Sequence, residues 1–373
     1  MKKVLCGIDR IRDADKLLRG KRVGLLSAAS GIAKSGDATY EILRERYDLA
    51  ALYAPEHGIR SNLQDGLWLK DGVDPETGLP LYNVGTSSVE LLDAMIADID
   101  VLVYDIQDVG ARFYTYLYNL TDMMARLSSQ KKPLVVLDRP NPIGGVAFEG
   151  PRLDEANCSS GIGRFSLPVR YGLTVGEYAR WANAEKNIGC ELFVIELDGW
   201  ERSLYADETD LLFVNPSPNI PSVNAAINYI GTCLFEATNV SEGRGTTRPF
   251  DLVGAPFVDS KALCDHLRSK HIDGLTVRRA AFTPMFGKHA GKVCESVELH
   301  VTERSVYRPL FAATCILEHM RQYDEFEFSA QGLALRYGNN DISGNYTPEE
   351  LRDRAAGSLE SFLPEAKRYM LYR

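Results

Sequence analysis

Four short apolar segments, each followed by polar or charged residues, constrain the fold of this chain most strongly. They cover residues 22–27, 49–53, 100–104 and 133–137, and segments with helical character separate them. Strands that are apolar on both faces are typical of parallel sheets, which helices cover from both sides. The sequence therefore predicts an α/β fold built on a parallel sheet.

The length of 373 residues predicts two domains. Residues 144–173 are rich in Gly, Pro and Ser and read as irregular, so we expect the boundary near this segment. Beyond it, helical and strand-like segments alternate to the end of the chain. We see no internal repeat and no low-complexity stretch.

Charge and hydropathy exclude several classes of protein. The formal net charge is −9 and no basic block is present, which argues against nucleic-acid binding. No apolar run approaches the ~20 residues of a membrane span, and the N-terminus lacks the features of a signal peptide. We therefore expect a cytoplasmic protein. Seven scattered cysteines without a CxxC motif favour reduced, buried thiols.

The second apolar segment ends at Pro55, and Glu56, His57 and Gly58 follow directly. In α/β enzymes, reactive groups lie at the carboxyl ends of strands. Partial burial there would raise the pKa of the Glu56 carboxyl group, so that it donates a proton near neutral pH. His57 would hold or tune it. The alternative is a solvated glutamate and a structural histidine in a turn.

The third segment also ends in acids, Asp105 and Asp108, with Arg112, Tyr114 and Tyr116 close behind. Aromatic faces beside carboxylates and a guanidinium group suit a sugar, whose apolar face stacks on rings while its hydroxyls bind charged groups. The alternative is ordinary capping of a helix by aspartate. The fourth segment is followed by Asp138-Arg139-Pro140-Asn141, so three successive strands deliver polar groups to one edge of the sheet.

A glycine-rich loop from Glu242 to Arg248 offers an acid, two arginines and freed backbone amides. It lacks the spacing of a P-loop, and no GxGxxG motif follows the first strand, so we expect no nucleotide cofactor. Arg244 or Arg248 could bind a substrate carboxylate through two hydrogen bonds. The alternative is a surface loop whose arginines pair with local acids.

Other catalytic chemistries find little support in the sequence. The six histidines are spread out without an HExxH motif, so we expect no metal. An oxygen-rich site for a hard cation at His57 with Asp105 or Asp108 stays an alternative. A Ser-His-Asp triad would lack its GxSxG turn.

Five ordered stretches together resemble the exo-β-N-acetylmuramidase family (NamZ/YbbC type), formerly an uncharacterised bacterial family. They are residues 53–58, 105–116, 138–145, 216–221 and 242–247. The resemblance implies a hydrolase that releases N-acetylmuramic acid from the non-reducing end of peptidoglycan fragments in cell-wall turnover and recycling. Its partner would be a muropeptide or another muramic-acid-terminated sugar.

The resemblance also implies a Rossmann-like parallel-sheet domain, a smaller C-terminal α/β domain, and an active-site cleft between them. We place the catalytic domain at residues 1–160, with irregular segments that can extend it to about residue 255. Residues 161–373 hold the remainder, including the C-terminal auxiliary α/β domain. One departure is Tyr171, where the family pattern leads us to expect histidine; it bears on substrate preference more than on the reaction.

Glycoside cleavage usually needs two carboxyl groups, or one together with the acetamido group of the substrate. We predict Glu56 as general acid, oriented by His57, and Glu242 in the second role, with Asp108 as the next candidate. Candidate ligands of the lactyl carboxylate are Arg112, Arg139 and Arg244. The further substrate-binding candidates are Asp105, Tyr114, Tyr116, Asn141 and Asn219.

Two other functions stay open at this point. A muropeptide-binding protein would keep the cleft without turnover, and a metal-dependent hydrolase would be sensitive to chelators. The sequence gives neither the oligomeric state nor the stereochemical outcome of cleavage.

Overall fold

We describe the protein from a computed structural model that covers residues 1–61, 70–85 and 87–373. The strands in these ranges are β1 Arg22–Ser27, β2 Asp48–Ala54, β3 Gly72–Val73, β4 Pro80–Asn83, β5 Val101–Asp105, β6 Leu134–Leu137, β7 Leu192–Ile195, β8 Leu252–Ala255, β9 Leu275–Phe282 and β10 Cys294–Val301. The α-helices are α1 Asp15–Leu18, α2 Thr39–Arg46, α3 Val89–Met95, α4 Tyr116–Ser129, α5 Glu155–Cys158, α6 Val175–Glu185, α7 Val223–Thr232, α8 Ser260–Ser269, α9 Pro309–Met320, α10 Ala330–Tyr337 and α11 Pro348–Lys367. Short 3₁₀ helices cover Gly7–Ala14, Ala206–Glu208, Cys233–Ala237 and Asn340–Ser343.

The larger sheet has the strand order β3-β4-β2-β1-β5-β6-β7. All neighbouring strands are parallel except β3 and β4, which are antiparallel. The strand order reverses at β1, which lies between β2 and β5. Ligands of open α/β sheets bind outside the carboxyl ends of the strands near such a reversal. The predicted parallel sheet is confirmed, and it brings the ends of β2, β5 and β6 to one edge.

Both faces of the central strands β1, β2, β5 and β6 are largely buried, as the apolar segments predicted. Along β5, Val101 and Val103 belong to one apolar cluster, whereas Leu102 and Tyr104 belong to the other. Successive side chains of a strand point to opposite faces, so each face has its own core. The 3₁₀ segment Gly7–Ala14 packs on the first face, and helices such as α4 cover the second.

The smaller sheet is antiparallel, with the order β8-β10-β9. Helices α7 and α8 pack against it. The larger sheet takes its last strand from residues 192–195, so it continues past residue 160, and residues 196–251 connect the two sheets. The predicted combination of a parallel-sheet domain and a smaller α/β unit is confirmed.

Two local predictions differ from the structure. Residues 61–82 are rich in Gly, Asp and Pro, a composition that predicts a loop able to form a flap over the site. Strand β3 and most of β4 fall in the later part of this range, and residues 62–69 lie outside the described residues. The residues from Ala111 to Tyr116 have the character of a helix start and predict a helix from residue 111, but α4 begins only at Tyr116. The reason is that Ala111 forms a β-bridge with Arg170 and the Arg112 amide donates to the carbonyl of Val169, so these residues bond to another segment.

Helix length and cysteine chemistry agree with the sequence. None of the helices in residues 1–61, 70–85 and 87–373 combines the length and apolarity that a bilayer crossing requires. All seven cysteines are buried free thiols, as their scattered positions predicted.

Candidate active site

The turn after β2 directs two polar side chains away from the sheet. His57 has a φ of +73° and Gly58 a φ of +80°. A positive φ is uncommon in a residue with a Cβ atom, and such strained positions cluster at functional sites. The Gly58 amide donates to the Pro55 carbonyl at 3.1 Å, which closes the turn. His57 is buried, and Glu56 beside it is half-buried.

Tyr116 ties this turn to a second loop. Its hydroxyl oxygen lies 3.2 Å from the carbonyl oxygen of Glu56 and 3.4 Å from that of Pro216. Because Tyr116 is itself almost fully buried at the start of α4, it fixes both loops against the core. The proline-rich loop at residues 216–221 therefore faces the Glu56 turn.

A cavity of about 610 Å³, which we call the first chamber, lies between these loops and the second unit. Its wall combines polar groups with aromatic rings. The Tyr114 and Tyr116 ring centroids are 4.6 Å apart, and those of Tyr229 and Phe250 are 4.7 Å apart. The lining residues are Glu56, His57, Phe113, Tyr114, Thr115, Tyr116, Ile162, Ser217, Asn219, Ile220, Tyr229, Glu236, Arg244 and Phe250.

A second cavity of about 820 Å³, the second chamber, adjoins the first. The two chambers share Asn219, Glu236 and Arg244, so they form one cleft. The second chamber is lined by Asn219, Glu236, Glu242, Arg244, Phe286, Gly287, Lys288 and Arg336. These residues come from the connecting segment and the second unit, whereas Glu56 and Tyr116 come from the larger sheet and its helix.

Ion pairs cross the junction of the chambers. The Nη2 atom of Arg244 lies 2.5 Å from Oε1 of Glu236, and the Nη2 atom of Arg336 lies 3.0 Å from Oε2 of the same residue. Glu242 is deeper; its Oε2 atom accepts from Lys288 at 2.9 Å, and its Oε1 atom is 3.4 Å from Nε of Arg244. Among the described residues of this cluster, Arg244, Arg336 and Lys288 bind the two carboxylates of Glu236 and Glu242.

Lys288 holds Glu242 in place. Its ammonium group also donates to the carbonyls of Phe235 and Val240, at 2.6 and 3.0 Å. All three of its donors are therefore used by groups of the protein. Lys288 serves as a fixed positive charge under Glu242.

Of the residues predicted for the site, seven line the cleft. Glu56, His57, Tyr114 and Tyr116 line the first chamber, Asn219 and Arg244 line both chambers, and Glu242 lines the second.

Asp105 and Arg139 line neither chamber. Asp105 is fully buried, and its two oxygens accept from Nε and Nη2 of Arg139 at 2.5 and 2.8 Å. The Thr39 hydroxyl also donates to Asp105, and Arg139 Nη2 donates to the carbonyl of Ile32 at 2.7 Å. The chain between β1 and α2 thus closes over this pair, which leaves no oxygen facing the cleft.

Arg112 and Asn141 also bind the protein itself. Nη1 of Arg112 donates to the carbonyls of Pro151 and Leu167, and Nη2 donates to that of Arg336, all within 2.9 Å. The Asn141 amide donates to the Leu173 carbonyl at 3.0 Å. Arg112 therefore connects the larger domain to the end of α10 and does not face the cleft.

Asp108 and Tyr171 form a buried pair outside both chambers. The Tyr171 hydroxyl and the Gly110 amide donate to one carboxylate oxygen of Asp108. Burial raises the pKa of the Asp108 carboxyl group to about 7. Tyr171, which stands where we expected histidine, is thus a fully buried partner of Asp108 and lines neither chamber.

Several cleft residues were not singled out in the sequence. Glu236 lies in a segment that reads as the end of an apolar helix, and Arg336 lies in α10, far along the chain. Nothing in the local pattern of either residue signals a site. The aromatic wall residue Phe113 stood within a motif that we identified but received no role. No group of three or more His, Cys, Asp or Glu side chains in residues 1–61, 70–85 and 87–373 has an arrangement that would hold a metal ion.

Comparison with known proteins places this geometry in context. Residues 23–224 match the family model described as exo-beta-N-acetylmuramidase NamZ, N-terminal, and residues 227–372 match the model of its C-terminal part. The chain is 38% identical over 380 residues to the peptidoglycan beta-N-acetylmuramidase NamZ of Bacillus subtilis (strain 168). The alignment covers 99% of this chain and 92% of that protein.

Two crystal structures of DUF1343 family proteins from Bacteroides fragilis NCTC 9343 share the fold. One superimposes with a TM-score of 0.91 at 30% sequence identity and covers all of both chains. The other has a TM-score of 0.80 at 28% identity and covers 100% of this chain and 99% of its own. The similarity therefore extends over both units and the cleft between them.

Proposed function

Because this chain belongs to the NamZ family of exo-beta-N-acetylmuramidases, we propose that it is an exo-acting glycoside hydrolase. Its substrate would be a peptidoglycan fragment, from whose non-reducing end it releases N-acetylmuramic acid. Such a reaction belongs to cell-wall turnover and recycling. The B. subtilis relative is named a peptidoglycan beta-N-acetylmuramidase, and its alignment covers nearly the whole of this chain, including both units.

The observation that carries the proposal is the first chamber itself. It places the Glu56 carboxyl group, the Arg244 guanidinium group and several aromatic rings around one cavity. A pyranose ring stacks its apolar face on aromatic side chains, and a carboxyl group beside its glycosidic oxygen can protonate the leaving group. We assign Glu56 as the general acid.

The turn around Glu56 supplies the positioning that proton transfer requires. His57 adopts its left-handed backbone conformation next to Glu56, and the Tyr116 hydroxyl holds the Glu56 carbonyl from the core side. A general acid must stay within hydrogen-bond reach of the oxygen it protonates. We assign His57 and Tyr116 to this positioning.

Arg244 is suited to the group that distinguishes muramic acid from glucosamine, its lactyl carboxylate. The arginine lines both chambers, and its guanidinium group lies over the Phe250 ring, 5.4 Å from the centroid. A planar guanidinium group binds a carboxylate through two parallel hydrogen bonds. Arg336 and Lys288, which line the second chamber, add positive charge near this position. Asn219, shared by both chambers, would take a neighbouring polar group of the sugar.

The proposal is tested with two matched disaccharides. One carries N-acetylmuramic acid at its non-reducing end, and the other carries N-acetylglucosamine there. We expect free N-acetylmuramic acid from the first and no monosaccharide from the second, measured by chromatography. The first disaccharide left intact by the folded protein would overturn the proposal, and cleavage of both at equal rates would overturn the role of the lactyl group. A parallel incubation with a chelator should leave the rate unchanged.

A further inference from the structure

The first chamber brings together a pair of carboxyl groups that the sequence did not pair. Among the described residues that line it, Glu56 and Glu236 are the ones that carry carboxyl groups. Glu242, the residue predicted for the second catalytic role, lines only the second chamber. A glycosidase with two catalytic carboxyl groups needs both at the same sugar ring. Position therefore favours Glu236 over Glu242 as the partner of Glu56.

Exposure separates the two candidates in the same direction. The side chain of Glu236 is 20% exposed, whereas that of Glu242 is 5% exposed. Glu242 also sits on the fully bonded ammonium group of Lys288. A carboxylate that contacts a sugar or an attacking water has to reach the cavity, and Glu236 does so from the junction of the chambers.

Two cations hold the carboxylate of Glu236 in place. The guanidinium groups of Arg244 and Arg336 each approach one of its oxygens within 3.0 Å. Hydrogen bonds of this charge-assisted kind are short and directional, so they fix the orientation of the carboxylate. They keep Glu236 at the junction of the chambers, where it lines the same cavity as Glu56.

The fold holds Glu236 rigidly in this position. It belongs to the 3₁₀ helix Cys233–Ala237, which directly follows α7. Arg336 is fixed in turn, because Arg112 donates to its backbone carbonyl from the larger domain. Both domains therefore contribute to the orientation of Glu236, and the buried Arg112 acquires a positioning task.

We propose that Glu236 is the second catalytic carboxylate, which works with Glu56. This inference rests on the proposed function. Glu56 gives its proton to the glycosidic oxygen, which leaves with the electron pair of its bond to C1. The new bond at C1 comes from an oxygen of Glu236, or from a water that transfers its proton to Glu236. In the first case water then hydrolyses the glycosyl ester and returns a proton to Glu56.

The test compares Glu236→Ala with Glu242→Ala on an aryl N-acetyl-β-muramide, with and without sodium azide. Removal of a catalytic carboxylate should lower kcat by roughly 100- to 10,000-fold. Azide is small enough to occupy the space of the lost carboxylate and to attack C1 itself. We expect azide to restore turnover in Glu236→Ala and to yield the muramyl azide of inverted, α configuration, identified by NMR. Glu242→Ala should show no such product.

The isosteric variant Glu236→Gln separates chemistry from folding. It should melt within a few degrees of the wild type and still lose at least about 100-fold in kcat. α-Azide formation by Glu242→Ala alone, or by neither variant, would overturn the assignment, as would a Glu236→Gln enzyme that keeps more than a tenth of its activity. In each of these cases the wild type remains active. A wild type without activity on the muramide would instead refute the proposed function.

Discussion

The carboxyl groups of Glu56 and Asp105 lie at two strand ends of the same sheet, yet only that of Glu56 opens into the cleft. Glu56 follows β2 and lines the first chamber, whereas Asp105 ends β5 and is fully buried against Arg139. Both lie at the carboxyl edge, where α/β enzymes place reactive groups. The difference shows that a site forms at a strand end only where the segments that pack over it leave a cavity.

The cover differs because different segments cross the two strand ends. Over β5, Thr39 and the Ile32 carbonyl satisfy the polar groups of the Asp105–Arg139 pair. Over β2, the chain turns outward at His57 and leaves space for a ligand. Removing one partner of a fully buried ion pair leaves an unpaired charge in the core and destabilises the fold. Variants at the two ends should therefore separate activity from stability.

The largest effect is expected for Glu56→Gln. The amide keeps the size of the side chain but has no acidic proton to give, so kcat should fall by roughly 100- to 10,000-fold. The melting temperature should change little, because Glu56 is only half-buried. Steady-state kinetics on an aryl muramide and a thermal melt measure the two quantities. The matched control is Glu196→Gln, since the exposed Glu196 directly follows β7 in the same sheet but does not line the cleft. Wild-type kcat in Glu56→Gln would refute the acid assignment.

The opposite pattern is expected for Asp105→Asn. The change leaves the buried Arg139 without a counter-charge, and breaking a buried pair in this way costs about 3–5 kcal/mol. Denaturant titration should show this loss in the free energy of unfolding, while the folded fraction retains near-normal kcat. Asp122→Asn serves as the control, because its ion pair with Arg164 is partly exposed on both sides and is worth at most about 1 kcal/mol. Equal losses of unfolding free energy in Asp105→Asn and Asp122→Asn would show that the buried pair at the end of β5 has no special role in stability.

These strand ends also show what could be predicted from the sequence. The apolar runs located β1, β2, β5 and β6 to within a residue or two, because a strand buried on both faces is visible in composition alone. β4 was missed because it begins with a proline and depends on pairing with β2. Such pairing is a property of the tertiary structure.

The sequence predicted those site residues that lie in a turn or loop recognisable from its own residues. Glu56 stood in a shaped turn after a strand, and Arg244 in a glycine-rich loop; both line the cleft. Arg112 has the same appearance in the sequence, but its donors bind carbonyls from three distant segments. Whether a polar group faces a cavity or the core depends on contacts across the fold, which spacing does not reveal. For the same reason Glu236 was not identified.

A smaller effect is expected for Arg244→Met at the junction of the chambers. The variant keeps an apolar stem but loses the guanidinium group that we assign to the lactyl carboxylate. A hydrogen bond to a charged group contributes about 1.5–3 kcal/mol, so the Kd for N-acetylmuramic acid should rise roughly 10- to 150-fold. Calorimetric titration with this sugar measures the change. Arg248→Met is the control from the same loop, since Arg248 pairs with Asp251 and Glu298 and lines neither chamber. An unchanged Kd in Arg244→Met would move the lactyl site elsewhere.

The smallest effect concerns Glu149, a buried carboxyl group that forms no direct ion pair with the described residues. Its Oε1 atom accepts from the Phe311 amide at 3.0 Å, and burial raises the pKa of its carboxyl group to about 7, against the opposing fields of Arg170 and Arg308. The folded protein therefore keeps a proton that the unfolded chain releases near pH 4.5, so the contribution of Glu149 to stability is greatest at low pH and is lost as the pH rises towards 7.

One such group gives a slope of up to about 1.4 kcal/mol per pH unit between pH 5 and 7. Glu149→Gln removes the titration and should flatten the wild-type slope by a measurable part of this amount, in denaturant titrations at several pH values. Glu360→Gln, at an exposed position of α11, should leave the slope unchanged. If Glu149→Gln and the wild type lose stability in parallel, Glu149 does not hold an extra proton in the folded protein, and its burial does not shape the pH dependence of stability.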